Sequence, residues 1–425
     1  MALKEYLMEI NMCGGCNFCK FVPWQVMKSQ RYCQVCPSIA HSSFHAYSAA
    51  GRLGMSKAMI QGIVKEYTPE ARRAIFQCQL CGACQVSCRP VNWYLTDLVD
   101  IMEELRFDAV EKAGPLPAHE ELAATIENHG NPYGEPQEKR FSFLPDGVEA
   151  TEKADLLYWA GCTPAFRQRN MGASTAKVLS ALGQDFCVLG GEELCCGVPV
   201  WKSGQRNRAE ELMESNVRAI KESGAKRMVV SCADCYGAFK VEYPKAGFDL
   251  PVEVISFAEL MDEKLKKGEL KFANEVPLKA VYHDPCNLGR NSETYVRWEG
   301  EFEWAAPHDL VAVPEKPKRF GAGGCYQPPR DVLGAVPGLE LHEFERNRWH
   351  AWCCGGGIEC GEAFPEFTAW TASERLEEAK EIEGLEAIIS HCPHCAENLR
   401  GAVKAGGEKI RILDLSEVVA EALGV

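Results

Sequence analysis

The chain has 425 residues, 46% of them hydrophobic and 25% charged, with 46 Lys and Arg against 60 Asp and Glu and a formal net charge of −14. That is the composition of a folded globular protein too long for one core, so two or three domains are expected. The acidic balance argues against a nucleic-acid partner. No apolar run is long enough to span a membrane and MALKEYLMEI has no signal-peptide core, so the reading is a cytoplasmic chain that reaches a membrane only through a partner. KRF at 139–141 and KPKR at 316–319 are short and read as solvated loop charges.

Twenty-two cysteines fall in four ordered groups. The first is Cys13-x2-Cys16-x2-Cys19, followed by Cys33 and by Cys36-Pro37. The stretch 38–67 is rich in small and apolar residues without strand alternation and reads as helical. The second group is Cys78-x2-Cys81-x2-Cys84-x3-Cys88, closed by Arg89-Pro90. A disulfide framework suits small secreted domains, whereas repeated C-x-x-C spacing suits ligation of soft metal centres. C-x2-C-x2-C-x3-C-P is the spacing of two-cluster ferredoxins, in which the last cysteine of each group completes the other cluster. By that rule Cys13, Cys16, Cys19 and Cys88 hold one cubane [4Fe-4S] cluster, and Cys78, Cys81, Cys84 and Cys36 hold another. Pro37 favours Cys36 as the remote ligand, with Cys33 the alternative. Zinc also takes C-x2-C pairs, but two groups this tight favour cubanes. TDLVDIMEELRF then reads as a helix with Thr96 as its N-cap, and 113–153, dense in Pro and Gly, reads as an extended linker.

The remaining chain is an internal repeat. ADLLYWAGC (154–162) matches LKAVYHDPC (278–286), RMVVSCADC (227–235) matches AIISHCPHC (387–395), and PVEVISFAELM (251–261) matches KIRILDLSEVV (409–419). Each copy carries one cysteine, an adjacent pair followed by Gly, and a C-x-x-C. In the first these are Cys162, Cys195-Cys196 and Cys232/Cys235, and in the second Cys286, Cys353-Cys354 and Cys392/Cys395. Short apolar strands alternating with long amphipathic stretches indicate parallel α/β domains, whose loops converge at the C-terminal strand ends. The cysteines sit at those ends, so each copy is expected to gather its own five. Gly197 and Gly355-Gly356-Gly357 lack Cβ and are expected to let the backbone approach the metal.

The pattern C-x31–39-CC-x35–36-C-x-x-C resembles the cysteine-rich CCG domain of heterodisulfide reductase. A ferredoxin-like part followed by two such repeats is similar to its fused D-type subunit. GCTPAFRQRN, ELCCGVPVWKSG, SCADCYGAFKVEYP and YHDPCNLGR all look like family segments. The resemblance implies an α+α/β fold in four parts. These are a helical ferredoxin-like domain with two cubanes (1–112), a linker (113–153), a first CCG domain (154–275) and a second (276–425), the last two related by a pseudo-two-fold. It implies a noncubane [4Fe-4S] cluster on Cys162, Cys195, Cys196, Cys232 and Cys235, and another on Cys286, Cys353, Cys354, Cys392 and Cys395. In that family two such clusters face a common cavity and split a disulfide in one-electron steps.

The chain departs from the family pattern in one place: 66 residues separate Cys286 from Cys353. The surplus falls within about 291–327, which reads as a loop or partner-docking surface in preference to a lid, and it contains Cys325, a minor alternative to Cys286. Cys187 reads as a buried strand residue and Cys360 as packing or a neighbour of the last cluster. His283 is a candidate proton donor or hydrogen-bond donor to a cluster sulfur, against a packing role in which Asp284 caps a helix. His391 and His394, at the last C-x-x-C, are candidates to tune cluster potential or relay protons, but the preferred reading is surface residues. No dinucleotide or triphosphate fingerprint occurs, so a flavin or nicotinamide is expected on another subunit.

Two functions follow. One is an iron–sulfur oxidoreductase of anaerobic metabolism that passes electrons from the cubanes to the CCG clusters and reduces a small disulfide or related acceptor within a complex of flavoprotein or other iron–sulfur subunits. The other is an electron-transfer subunit without substrate chemistry, serving a flavoprotein dehydrogenase or an assembly like class II benzoyl-CoA reductase. Zinc-stapled repeats acting as scaffold are the bland alternative.

Overall fold

In a computed structural model the chain is described over residues 2–88, 96–306 and 309–425. The N-terminal region is helical. Helix α1 (Ala49–Ile60) starts where the Ser48 side chain accepts from Gly51 N, and α2 (Pro69–Phe76) starts at Thr68 with proline in its first turn. Helices α3 (Ala83–Cys88) and α4 (Leu98–Ala113) follow. The stretch 38–67, expected to be helical, is so in pieces, because a short helix Pro37–Ser42 ends on Ser43 in the left-handed region and Ser48 restarts the chain as α1. Thr96 is not the cap of α4. Asp97 holds the cap position, and Thr96 Oγ1 instead lies 4.0 Å from Met12 Sδ. Leu3, Tyr6, Ile10, Leu53, Phe76, Ile101 and Leu105 form the core of this region together with Cys19 and Cys88.

The stretch expected to be an extended linker contains helix α5 (Pro117–His129), started by Pro117 and stopped by Gly130 at positive φ. Beyond it Asn131 folds the Pro/Gly-rich segment into a turn, its Oδ1 accepting from Tyr133 N (3.1 Å) and Glu135 N (3.2 Å).

Two parallel sheets follow. The first has order β1-β2-β3, with β1 Leu156–Trp159, β2 Arg227–Val230 and β3 Glu253–Ser256. Its crossovers carry α6 (Arg169–Ala181) and α7 (Arg206–Ser223), and β3 runs directly into α8 (Phe257–Lys266). The second sheet has order β7-β4-β8-β9, with β4 Leu278–Tyr282, β7 Leu339–Glu343, β8 Ala387–Ser390 and β9 Arg411–Asp414. Around it lie α9 (Gln327–Gly334), α10 (Pro365–Lys380), α11 (Pro393–Gly406) and α12 (Leu415–Leu423). In the first sheet the place of β7 is taken by Cys187, which makes an isolated parallel bridge to Leu157.

The central strands are short apolar runs because both faces are covered. Leu156 to Trp159 are all at most 4% exposed, and each such side chain contributes roughly 1.5–3 kcal/mol by leaving water. Register keeps the C-terminal ends level, with Trp159 opposite Val230 and Val230 opposite Ser256. Both sheets end in the same device: β3 enters α8 through a Ser256/Glu259 capping box, and β9 enters α12 through Asp414/Glu417.

The insertion contains an antiparallel hairpin, β5 (Glu301–Ala306) and β6 (Asp309–Val313), followed by an arm that lies on the helical region. Lys316 Nζ is buried between Glu9 Oε1 (2.7 Å) and Asp97 Oδ2 (2.9 Å), and Arg319 Nη1 lies 3.8 Å from Asp100. Lys316 is therefore an interior ion-pair partner and Arg319 a half-buried one, not solvated charges.

Candidate metal centres

All 22 cysteines are unbridged. Cys13, Cys16 and Cys19 are neighbours around the turn Phe18–Lys20, with Cys16 exposed. Helix α3 packs on that turn, placing Cys88 in the same core as Cys19. Four residues earlier on α3, Cys84 joins Cys36, Cys78 and Cys81 in lining one small cavity. Cys33 is not among its lining residues. One helix thus serves both groups, since i and i+4 share a face. Arg89 and Pro90 lie outside the described residues. Burial pushes the Cys36 thiol up to about 12, so a bare thiol there stays protonated at neutral pH.

In the first repeat Cys162 follows β1, Cys232 follows β2, and a loop brings in Cys195 and Cys196. Cys162 interacts with Cys195, Cys195 with Cys196, Cys196 with Cys235, and Cys235 with Cys232. Arg140 Nη2 donates to Cys162 Sγ at 3.5 Å, and its Nη1 pairs with Glu193 at 3.0 Å, both side chains fully buried. Glu193 also accepts from Gly161 N (2.9 Å) and Ala160 N (3.3 Å), fixing the loop that presents Cys162. KRF is therefore another basic run that the fold takes inside at one residue, Arg140.

In the second repeat Cys353 interacts with Cys286 and Cys354, Cys354 Sγ lies 2.9 Å from Cys395 Sγ, and Cys395 interacts with Cys392. Cys353 also interacts with Cys81 and packs with it, alongside Cys286. Cys325 is elsewhere, its Sγ 3.6 Å from Ser256 Oγ in the first repeat. Cys360 Sγ is 3.9 Å from Phe76 O on the helical region.

His283 is buried with Cys354 and Cys395, the three ligand atoms lying within 4.8 Å of one another. Arg375 Nε donates to His283 Nδ1 at 3.1 Å, which leaves the imidazole proton on Nε2, facing Cys354. Burial pulls the His283 pKa down against the pull of Cys354, and the Arg375 charge adds to it. The neutral ring is a poor acid, and its buried Nε2 makes no hydrogen bond among the described residues. Asp284 caps no helix but takes Arg330 at 2.7 Å and Arg348 N at 2.7 Å.

His391 and His394 are buried, not on the surface. His391 Nδ1 lies 3.4 Å from Asp414. His394 crosses to the first repeat, 3.3 Å from Thr163 Oγ1 and 3.8 Å from Asp234 Oδ2. Although burial opposes it, Asp234 and Cys232 hold its pKa well above the ordinary value. Asn287 Nδ2 makes the reciprocal contact, donating to Asp234 Oδ1 at 2.6 Å. Thr163 and Asn287 each follow the first cysteine of their repeat, and Asp234 and His394 each precede the last. The two five-cysteine sets are therefore joined directly through matching positions.

The glycines do less at the metal than expected. A Cβ at Gly197 would meet Ala209 O at 3.2 Å and one at Gly355 would meet Thr368 O at 2.6 Å, so both, at positive φ, serve packing against α7 and α10. Of the four expected glycines only Gly356 would set a Cβ near a thiol, 3.3 Å from Cys354 Sγ, and outside them Gly161 would, 3.2 Å from Cys235 Sγ.

A cysteine-rich domain model (CCG) matches residues 156–240 and 318–400. The second match spans Cys325 and not Cys286, but strand β4 and the thiol geometry put Cys286 beside Cys353. The chain is 30% identical over 364 residues to the D-type subunit of dihydromethanophenazine:CoB–CoM heterodisulfide reductase from Methanosarcina barkeri, covering 84% of this chain and 80% of that one. The chain belongs to the family of heterodisulfide reductase D-type subunits. The corresponding D-type chain of Methanosarcina acetivorans is 29% identical over 437 residues, 99% of this chain and 95% of that one. An EtfAB:quinone oxidoreductase of Syntrophomonas wolfei is 27% identical over 382 residues, 84% of this chain and 48% of that one. The protein is accordingly an iron–sulfur-binding member of an oxidoreductase and electron-transfer family. Among the described residues no helix is long and apolar enough to cross a membrane.

Proposed function

We propose that this D-type chain carries four [4Fe-4S] clusters and passes electrons from two cubanes to two CCG-bound noncubane clusters that reduce a disulfide or related acceptor within a larger complex. Cys13, Cys16, Cys19 and Cys88 hold the first cubane, and Cys36, Cys78, Cys81 and Cys84 the second. Each repeat's five cysteines hold one noncubane cluster, and the clusters supply one-electron chemistry at a thiol-rich site. The single observation that carries this reading is that each repeat packs its five cysteine thiols into one place, with a second-repeat thiol touching Cys81. The reciprocal Thr163–His394 and Asn287–Asp234 contacts support a pseudo-two-fold between domains of about 154–275 and 276–425, behind a ferredoxin-like domain of about 1–112.

Within this scheme the chain's own residues orient and insulate. Arg140 and His394 donate toward first-repeat sulfurs and His283 faces a second-repeat sulfur, which stabilises the reduced, more negative state of each centre. Reduced viologen turning over a small organic disulfide, with the chain purified anaerobically, tests the function directly. Turnover lost on Cys354→Ala supports it, and a fully iron-loaded chain that reduces no disulfide contradicts it.

The near-complete burial of the repeat thiols and the likeness to an EtfAB:quinone oxidoreductase favour a second reading, a relay for a flavoprotein partner without substrate chemistry. Co-purification with flavin-bearing subunits and no disulfide turnover is its signature.

A further inference from the structure

One turn of the second repeat reaches out of its own cysteine set and grips the loop of another. Arg290, four residues after Cys286 and 6% exposed, donates from Nε to Cys81 O at 2.8 Å and from Nη1 to Trp349 O at 3.1 Å and Ala351 O at 2.5 Å. The guanidinium fork therefore ties the backbone at Cys81 to the backbone just ahead of Cys353-Cys354. Its Nη2 is buried without a protein partner, and its charge sits beside Cys81, Cys286 and Cys353. Asn291 Nδ2 donates to Leu80 O at 2.9 Å. Leu80 is held at φ 48, a region non-glycine residues avoid, and a Cβ on Gly82 would fall 2.4 Å from Asn291 Oδ1. The loop Leu80-Cys81-Gly82 is thus strained on one side and glycine-tight on the other, and both features face the same two side chains. Strain concentrated where two thiol groups meet marks a functional junction.

We infer that Arg290 and Asn291 form a clamp that holds the Cys81 loop against Cys353, so that electrons pass between the Cys36, Cys78, Cys81 and Cys84 centre and the second-repeat centre. They are positioning residues, and the inference rests on the cluster reading above. In each transfer one electron leaves the reduced four-iron centre, which returns to its oxidised state, and enters the second-repeat centre. An external one-electron donor, here reduced viologen, resupplies the first. Arg290 does two separable things: its buried positive charge favours the reduced state of both centres, and its fork fixes their spacing. A lysine keeps the charge but cannot hold three carbonyls in one plane.

The test uses the full, iron-loaded chain, with iron content measured first, then EPR-monitored potentiometric titration and freeze-quenched transfer after a viologen pulse. Arg290→Gln is expected to make both centres about tenfold harder to reduce in the one-electron equilibrium, about 59 mV each, and to slow transfer at least tenfold. Arg290→Lys restores the potentials but not the rate. Asn291→Ser, which removes no charge, slows transfer with potentials unchanged, and it decides alone if Arg290→Gln does not retain iron. Wild-type transfer in both Arg290→Lys and Asn291→Ser at full iron content would overturn the clamp. Missing iron in the unsubstituted chain would instead overturn the cluster reading beneath it.

Discussion

The two repeats carry the same five cysteines at the ends of the same strands, yet different parts of the chain close over them. The first is walled by the segment after α5, where Tyr133 reaches Thr163 and Arg140, paired with Glu193 of the repeat itself, reaches Cys162. The second is met by the helical region, with Cys81 against Cys353, and is backed by His283, Arg375 and Glu378. A repeat fixes where thiols converge, and the non-repeated segments decide what each thiol set talks to. On the proposed scheme the second repeat receives electrons from the N-terminal centres and the first receives them through the second, across Asp234 and His394.

The largest expected effect breaks that order. Cys395→Ala should remove about four of roughly sixteen irons and leave the first-repeat centre unreducible by an electron donor acting at the N-terminal clusters, whereas Cys235→Ala removes as many irons but leaves the second-repeat centre reducible. EPR of each variant after brief reduction separates them, and equal behaviour would put the two repeats in parallel. Cys36→Ser should likewise abolish one cubane signal, while Cys33→Ser keeps it.

The buried ion pairs come next. Glu193→Ala leaves Arg140 uncompensated in a dry site and should cost about 3–5 kcal/mol, read by denaturant unfolding. Glu378→Ala, which strands both Arg346 and Arg375, should cost the second repeat at least as much.

His119 on α5 joins the closing segment to the second repeat through Glu359 O at 2.8 Å. Burial pulls its pKa from 6.5 to about 4. The unfolded chain therefore binds the extra proton first as pH falls. The stability contributed by neutral His119 is fully present above about pH 6.5 and is lost toward pH 4, at most about 3 kcal/mol. Unfolding measured across that window should be flatter in His119→Gln. The smallest effect is shared: Ser256→Ala and Asp414→Ala, the matching helix caps, should each cost about 1 kcal/mol in thermal unfolding.

Much of this was legible in the sequence. Runs such as LLYW and AIIS announce buried parallel strands, and the cysteines that follow them, Cys162 after the first and Cys392/Cys395 after the second, place thiols at strand ends. The misread charged and histidine residues share one cause: long polar side chains reach interior partners far away in sequence. Arg140 and Lys316 sit in short basic runs that look solvated until Glu193, Glu9 and Asp97 are seen in space. His394 lies between Cys392 and Cys395, but its partner Asp234 is in the other repeat. The 113–153 stretch hid a helix because proline, a breaker inside helices, is also a good first residue of one, as at Pro117. One usable signal was overlooked: the acidic residues two positions before Cys195 and Cys286, Glu193 and Asp284, both hold buried arginines.

The most direct measurement is iron and acid-labile sulfide per chain after anaerobic purification, with EPR to separate cluster types. About sixteen irons, with cubane signals and a distinct second class, is the expected result. About eight irons with two zinc ions would contradict it, leaving the repeats as scaffold around two cubanes.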